Sequence, residues 1–284
     1  MLLPLPHLLL ALAVMAVWGT NFVVIRFALD DLPPLFLATL RFALVVVPLA
    51  FVLKRPAVAW ANLAAYGTLI GAGQFGLLFL AMRADITPGL ASLVVQTQIF
   101  FTIGLSMRLS GETVKGHQLA ALALATAGLG VILAHTDGDA TPLGVALVLG
   151  AALAWSAGNM VQRAAGPVDM LAYVVWGSVF SVPPLLALSL AFEGPAAMLA
   201  GLRDASPATW GAVLWQSVGN TMFGYGAWGW LLSRHPASAV TPMALLVPVF
   251  GMAASALALG EALPAWKLAA MALVMAGLAL NLFW

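Results

Sequence analysis

Apolar runs of roughly 20 residues, the length that crosses the hydrocarbon core of a bilayer, follow one another along almost the whole chain. Nearly every charged residue falls in the breaks between them, at 30–34, 54–56, 83–87, 108–117, 135–142, 163–169, 193–207, 234–236 and 261–267. Nine breaks divide the sequence into ten spans. Charged residues make up 7% of the chain and hydrophobic ones 63%, where a water-exposed domain carries about 25% charged residues. So few charges cannot coat a surface against water, and the remaining solvent is lipid. The runs are continuous rather than alternating in period two, which selects helices over a barrel. The expected fold is an all-α integral membrane protein with ten transmembrane helices.

The first run lacks a basic start and continues to Arg26, so it reads as a retained helix rather than a cleaved signal. Zero cysteines exclude disulfides and thiolate metal sites. A net charge of +1 points to no nucleic-acid partner. Loops with even numbers hold Lys54, Arg55, Arg108, Lys115, Arg163 and Arg234, six cations, against four (Arg26, Arg83, Arg203 and Lys267) at the odd-numbered ones. Because Lys and Arg are retained on the cytoplasmic side, both termini are expected in the cytoplasm.

A polar word is written twice. "WGTNFVVIRFA" (Trp18–Ala28) returns as "WSAGNMVQRAA" (Trp155–Ala165), an offset of 137 residues. Arg41 and Pro48 fall opposite Trp176 and Pro183, and "GETVKGHQLAALALATAG" (111–128) faces "GEALPAWKLAAMALVMAG" (260–277). The chain therefore reads as two five-span units, residues 1–134 and 142–284. Because five is odd, the second unit must enter the membrane from the opposite side. Inverted repeats of this kind recur in secondary transporters, with substrate held at the midplane between the halves.

Trp18–Gly19–Thr20–Asn21, Arg41, the pairs Gly111–Glu112 and Gly260–Glu261, and "VPVF" at 247–250 together resemble the drug/metabolite transporter superfamily, in its ten-helix branch with two EamA halves. The resemblance spans the full chain and is nearest to bacterial amino-acid exporters of the YddG type, often described by their aromatic substrates. It implies a basket of ten helices around a central cavity, lined by spans one, three, four, six, eight and nine, with five and ten packed outside. It further implies a bacterial inner-membrane protein that exports neutral amino acids by alternating access, with no cofactor or metal, working as a monomer in the bilayer. Another metabolite or drug as cargo, or a channel-like or structural role, stands as the alternative. The first half departs from the pattern, having "QTQIFF" (96–101) where the second has "VPVF".

Hydrocarbon offers a polar side chain no partner, so such residues face protein or a watery cavity. The substrate candidates are Trp18 and Asn21; Gln74 and Phe75; Ser92, Gln96 and Gln98, with Thr102; Trp155 and Asn159; and Gln216, Asn220, Tyr225 and Trp228. Amides both donate and accept, as a zwitterion requires, and aromatic rings offer apolar area and cation-attracting faces. The same amides can instead bond helix to helix, for about 1 kcal/mol each. Trp60, Trp210, Trp266 and Trp284 read as interfacial anchors. Arg26 and Arg163 end their helices at opposite faces, where they snorkel or gate. Arg41 is expected to reach Asp30 or Asp31 in an ion pair. Pro48, Pro183, Pro184, Pro242 and Pro248 interrupt helical hydrogen bonds and are candidate hinges. No catalytic motif and no carboxylate pair within a span is present, so no enzyme is expected. Passage is expected to be gradient-driven, with proton exchange through Asp85 or Glu112 left open.

Overall fold

The computed structural model describes residues 3–110, 116–135, 139–235 and 240–283, and these are almost wholly helical. Ten spans are present, with one short extra helix: α1 (Leu5–Ala28), α2 (Pro34–Leu49), α3 (Trp60–Ala84), α4 (88–110), α5 (Gly116–Leu133), α6 (Pro142–Ala164), α7 (Met170–Phe192), the short α8 (Gly194–Asp204), α9 (207–234), α10 (241–259) and α11 (Ala265–Phe283). Helix α8 fills the long 193–207 connection. Six of the spans, α1 and α3 to α7, are by themselves long and apolar enough to cross a membrane. Glu112, Lys115, Pro236 and Trp284 lie outside the described residues.

The helix starts follow from local chemistry. Pro34, Pro88, Pro142 and Pro207 sit in first turns, where the missing N–H costs nothing and the fixed φ suits a helix. Side chains of Thr141, Asp169 and Ser206 accept from Gly144, Ala172 and Thr209 N–H and cap α6, α7 and α9. Gly260, at φ +67°, closes α10 in the left-handed region.

Helices pair closely where residues are small. A Cβ at Gly67 of α3 would lie 2.1 Å from the Gly177 carbonyl oxygen of α7, and one at Gly19 of α1 2.9 Å from the Gly251 nitrogen of α10. In lipid there is no hydrophobic drive between helices, so such backbone approach carries the packing. Helix α1 packs on α10, α2 on α7, and α6 on both α3 and α4; α5 and α11 pack chiefly on each other. Pro183 and Pro184 stand inside an unbroken α7, Pro48 near the end of α2, Pro248 in the first turn of the α-helical part of α10, and Pro242 in the tight turn that opens α10.

Two irregularities recur. The helix widens to a π-helical run at Leu69–Gly76 in α3 and at Trp215–Phe223 in α9. It tightens to 3-10 geometry at Val95–Thr97 in α4 and Thr241–Leu245 in α10. Both recurrences start 146 residues apart (69 to 215, 95 to 241).

Carboxylates stitch one end of the bundle, where the odd-numbered connections lie. Glu193 at the end of α7 accepts from Leu35 N–H (2.7 Å) and Phe36 N–H (3.0 Å), which caps α2 from outside its own segment. Asp31 accepts from Ser206 N–H at 2.9 Å and from the Thr209 hydroxyl, and these bonds hold its carboxyl below the usual range. Asp85 accepts from Thr141 at 2.8 Å. Glu261 accepts from Thr87 Oγ1 (2.6 Å), Gly89 N–H (3.2 Å), Ser255 Oγ and Lys267 Nζ (2.8 Å). Lys267, fully buried, also meets Asp139 at 3.1 Å. Among the described residues, contacts at the opposite end include Tyr173 OH donating to Asn62 Oδ1 (2.7 Å), Asn62 donating to the Val161 carbonyl (2.8 Å), and the His7 and His235 rings meeting at 2.6 Å.

The Glu261 knot generates a prediction. Lys267→Met leaves a buried carboxylate without its cation and should cost about 3–5 kcal/mol, read as a lower Tm in detergent. Burial alone would raise the Glu261 carboxyl, but donors from Lys267, Ser255 and Thr87 and the Lys267 charge outweigh it and lower it. A depressed carboxylate stabilises above its unfolded value, about pH 4.3, and that contribution disappears as pH falls through the folded value. The Tm gap between wild type and Glu261→Gln should therefore be widest near neutrality and close on strong acidification.

Candidate functional site

The wide turns of α3 and α9 both pack against α2, and they bring Phe75, Asn220 and Thr221 to Arg41. Arg41 is 0% exposed. Its Nη2 donates to Asn220 Oδ1 at 2.8 Å and to Thr221 Oγ1 at 3.4 Å. Its guanidinium carbon lies 3.7 Å from the Phe75 ring centroid and 5.4 Å from that of Phe42. The Arg41 carbonyl accepts from Ser217 Oγ at 3.0 Å. The expected ion pair with Asp30 or Asp31 is not what forms. Asp30 is taken by Arg26 one turn earlier in α1, and Asp31 by Ser206 and Thr209 at the head of α9. Arg41 instead turns into the bundle, toward the other half of the chain.

The contact continues outward. The backbone carbonyl of Asn220 accepts from Trp18 Nε1 at 3.2 Å. The Trp18 ring lies 5.6 Å from that of Tyr225 and 5.4 Å from that of Trp228. These three aromatics are half-buried, while Arg41 and Asn220 are buried. Five of the sequence candidates, Trp18, Phe75, Asn220, Tyr225 and Trp228, thus fall in one connected group drawn from both halves. A π-helical run displaces the residues after it around the helix axis and is frequent at functional sites, and here it aims Asn220 and Phe75 at the same charge.

A second group forms between α4 and α6. Asn159 Nδ2 donates to Gln98 Oε1 at 3.3 Å, and Ser156 Oγ donates to the Gln98 carbonyl at 2.6 Å. Thr102 donates back to the Gln98 carbonyl at 2.8 Å. Trp155 is half-buried on the same stretch of α6. The exposure of α4 changes at this point: residues 88–97 are buried throughout, and 98–103 are half-exposed. The amide group therefore lies where α4 passes from fully buried to half-exposed residues.

The remaining candidates are placed differently. Gln96 is buried and donates to the Ala244 carbonyl in the tight turn of α10 at 3.3 Å. Ser92 donates to Gly89 O of its own helix at 2.6 Å and packs against Gly251, so it joins neither group. Asn21, Gln74 and Gln216 are buried, and Asn21 Oδ1, Gln74 Oε1 and both side-chain heteroatoms of Gln216 have no protein hydrogen-bond partner. Arg26 is bound to Asp30 at the carboxylate-stitched end, and Arg163 is exposed at the opposite end of the bundle. A hollow of about 480 Å³ between the last turn of α1 and the head of α9, walled by Val24, Phe27, Asp31, Thr209 and Trp215, lies apart from both groups.

Arg41 and Thr221 are the residues that a reading by sequence neighbourhood misplaced or missed. The available signal was that Arg41 is the one charge deep in a span; its partner is 179 positions away. Gly224 supplies a test of the aromatic group. A Cβ there would sit 2.3 Å from Trp18 Nε1, so Gly224→Ala must push the indole off the Asn220 carbonyl. An overpacking cost of about 1–3 kcal/mol is expected, read as a drop in Tm.

Comparison with known proteins completes the description. The sequence matches the EamA-like transporter family over residues 5–134 and again over 142–283. It is 41% identical to a Salmonella typhimurium protein named "Probable amino-acid metabolite efflux pump", covering 96% of this chain and 94% of that one. The Escherichia coli protein of the same name is 40% identical with the same coverage. A solved crystal structure with 19% identity superposes at a TM-score of 0.65 over 97% of this chain and 96% of the other, a likeness of fold alone.

Proposed function

The chain belongs to the EamA-like transporter family, and we propose that it exports amino acids, aromatic and other neutral ones, from the cytoplasm across the bacterial inner membrane. The observation that carries this reading is the convergence of amides and aromatics from both halves, in a chain 41% identical to a protein named for amino-acid efflux. An Escherichia coli relative, 32% identical over 201 residues and covering 68% of this chain, is named an inner membrane transporter, which supports the location.

The working cycle follows from the duplication. Residues 1–134 and 142–284 act as two five-helix repeats of opposite orientation, an assignment supported by the wide and tight turns recurring 146 residues apart. Two similar halves facing opposite ways can exchange shapes, so that one arrangement opens inward and its counterpart outward. With both termini in the cytoplasm, the carboxylate-stitched end faces outward and is closed. The looser end, carrying Gln98, Asn159 and Trp155, then admits cargo from the cytoplasm. Amides meet the ammonium and carboxylate, and Trp18, Tyr225, Trp228 and Trp155 cover the variable side chain. Arg26 at the outer end and Arg163 at the inner end act at the pathway mouths. Pro48, Pro183, Pro242 and Pro248 let the spans bend. The protein works as a monomer in the bilayer, driven by its substrate gradient.

Counterflow in proteoliposomes tests the reading. Labelled phenylalanine should exchange saturably, stimulated by unlabelled amino acid on the opposite side and not by a nucleoside or a sugar. Gln98→Ala and Trp155→Ala should each slow exchange by about tenfold, equivalent to roughly 1.4 kcal/mol, without an equal loss of Tm. Flux without saturation would replace the carrier by a channel. Exchange of the nucleoside or sugar alone would move the substrate class and keep the family.

A further inference from the structure

We propose that Arg41 is the group that reads the substrate carboxylate, so that cargo is selected for a free carboxylate beside an apolar side chain. This rests on the amino-acid reading above and narrows it to one residue.

Among the described residues two cations are fully buried, and their surroundings differ. Lys267 sits between two carboxylates, Glu261 and Asp139. Arg41 touches only neutral groups: Asn220, Thr221 and the faces of Phe75 and Phe42. Among the described residues no ion pair includes it, and its Nε and Nη1 have no protein acceptor. A cation in a low-dielectric interior is stabilised by an anion placed against it, and a guanidinium matches a carboxylate in shape and donor geometry. Among the described residues the protein supplies no such anion here. The cargo does.

The surroundings say how the rest of the ligand would lie. Asn220 links Arg41 to Trp18, and Trp18 meets the half-buried Tyr225 and Trp228. A ligand that rests its side chain on these rings has its carboxylate directed inward, to Arg41. The unpartnered acceptors Asn21 Oδ1, Gln74 Oε1 and Gln216 Oε1, on helices that adjoin one another or α2, suit an ammonium. Asn220 is then a positioning residue as well as a contact: its Oδ1 is held by Arg41, which turns its N–H₂ the other way.

The test uses the full chain in proteoliposomes and three probes differing at one group: phenylalanine, phenylalaninamide and phenylalaninol. Wild type should be stimulated by phenylalanine at least about tenfold more than by either neutralised analogue, the discrimination expected when a buried polar group is left unpaired. Arg41→Met should bring that ratio near one. Asn220→Asp places a carboxylate at the 2.8 Å contact and neutralises Arg41 in the resting protein. It should fold at least as well as wild type and also lose the preference, which keeps the test decisive if Arg41→Met does not fold. Equal stimulation by phenylalanine and phenylalaninamide in wild type overturns the proposal and leaves amino-acid export standing. So does discrimination that survives in the folded variants. Wild type that exchanges no amino acid at all overturns the export reading, and this inference with it.

Discussion

In hydrocarbon, each backbone N–H and C=O must be satisfied within the protein, and each polar side chain must find protein or a watery cavity. That requirement shapes everything else in this chain. It makes the spans helical, and it drives Gln, Asn, Ser and Arg inward. It also makes any interruption of a helix informative, because the freed carbonyls need new partners. At the wide turn of α9, Thr221 Oγ1 donates to the Gln216 carbonyl at 3.0 Å, and Asn220 O accepts from Trp18. The irregular backbone is satisfied by the residues that form the candidate site, so the site and the distortion sustain each other.

The two ends of the bundle are built from different chemistry. At one end Glu193, Asp31, Asp85 and Glu261 accept from backbone and side-chain donors of neighbouring spans. Several of these donors are first-turn N–H groups of helices, where a carboxylate also meets the positive end of the helix dipole. Such bonds are charge-assisted and about twice as strong as neutral ones. Among the described residues, the opposite end is joined by Asn62, Tyr173 and the His7–His235 contact, among others. The two ends therefore differ in the strength of the bonds that join their spans. The glycine contacts between α3 and α7 and between α1 and α10 bring the backbones of these helix pairs close together, and Ser181 Oγ adds a bond to the Gly67 carbonyl at 2.7 Å.

Much of the site could be read from residue types alone. Trp18, Phe75, Asn220, Tyr225 and Trp228 were marked because an amide in lipid needs a polar partner and aromatic rings offer apolar area and cation-attracting faces, and they come together. Gln98 and Asn159 were marked for the same reason and bond to each other. Ser92 was marked too, yet its hydroxyl returns to its own helix at Gly89; a serine can satisfy itself locally where a longer amide cannot. Arg41 was assigned to Asp30 or Asp31 because they are near in sequence. In the fold those carboxylates are claimed by Arg26, Ser206 and Thr209, and Arg41 crosses to α9.

What the sequence determined by itself was the solvent, the secondary structure and the duplication. Apolar runs of span length without charge admit only one satisfied backbone, and a repeated five-span pattern can be counted. What only the tertiary structure decided was which polar atoms are partnered. The π-helical runs at Leu69–Gly76 and Trp215–Phe223 hold glycines but no proline; the first packs on α2, α6 and α7 and the second on α1 and α2. Hydrogen-bond partners are set by three-dimensional proximity across spans far apart in the chain. That Arg41 is buried without an anion, while Lys267 is buried between two, becomes visible only once the helices are packed.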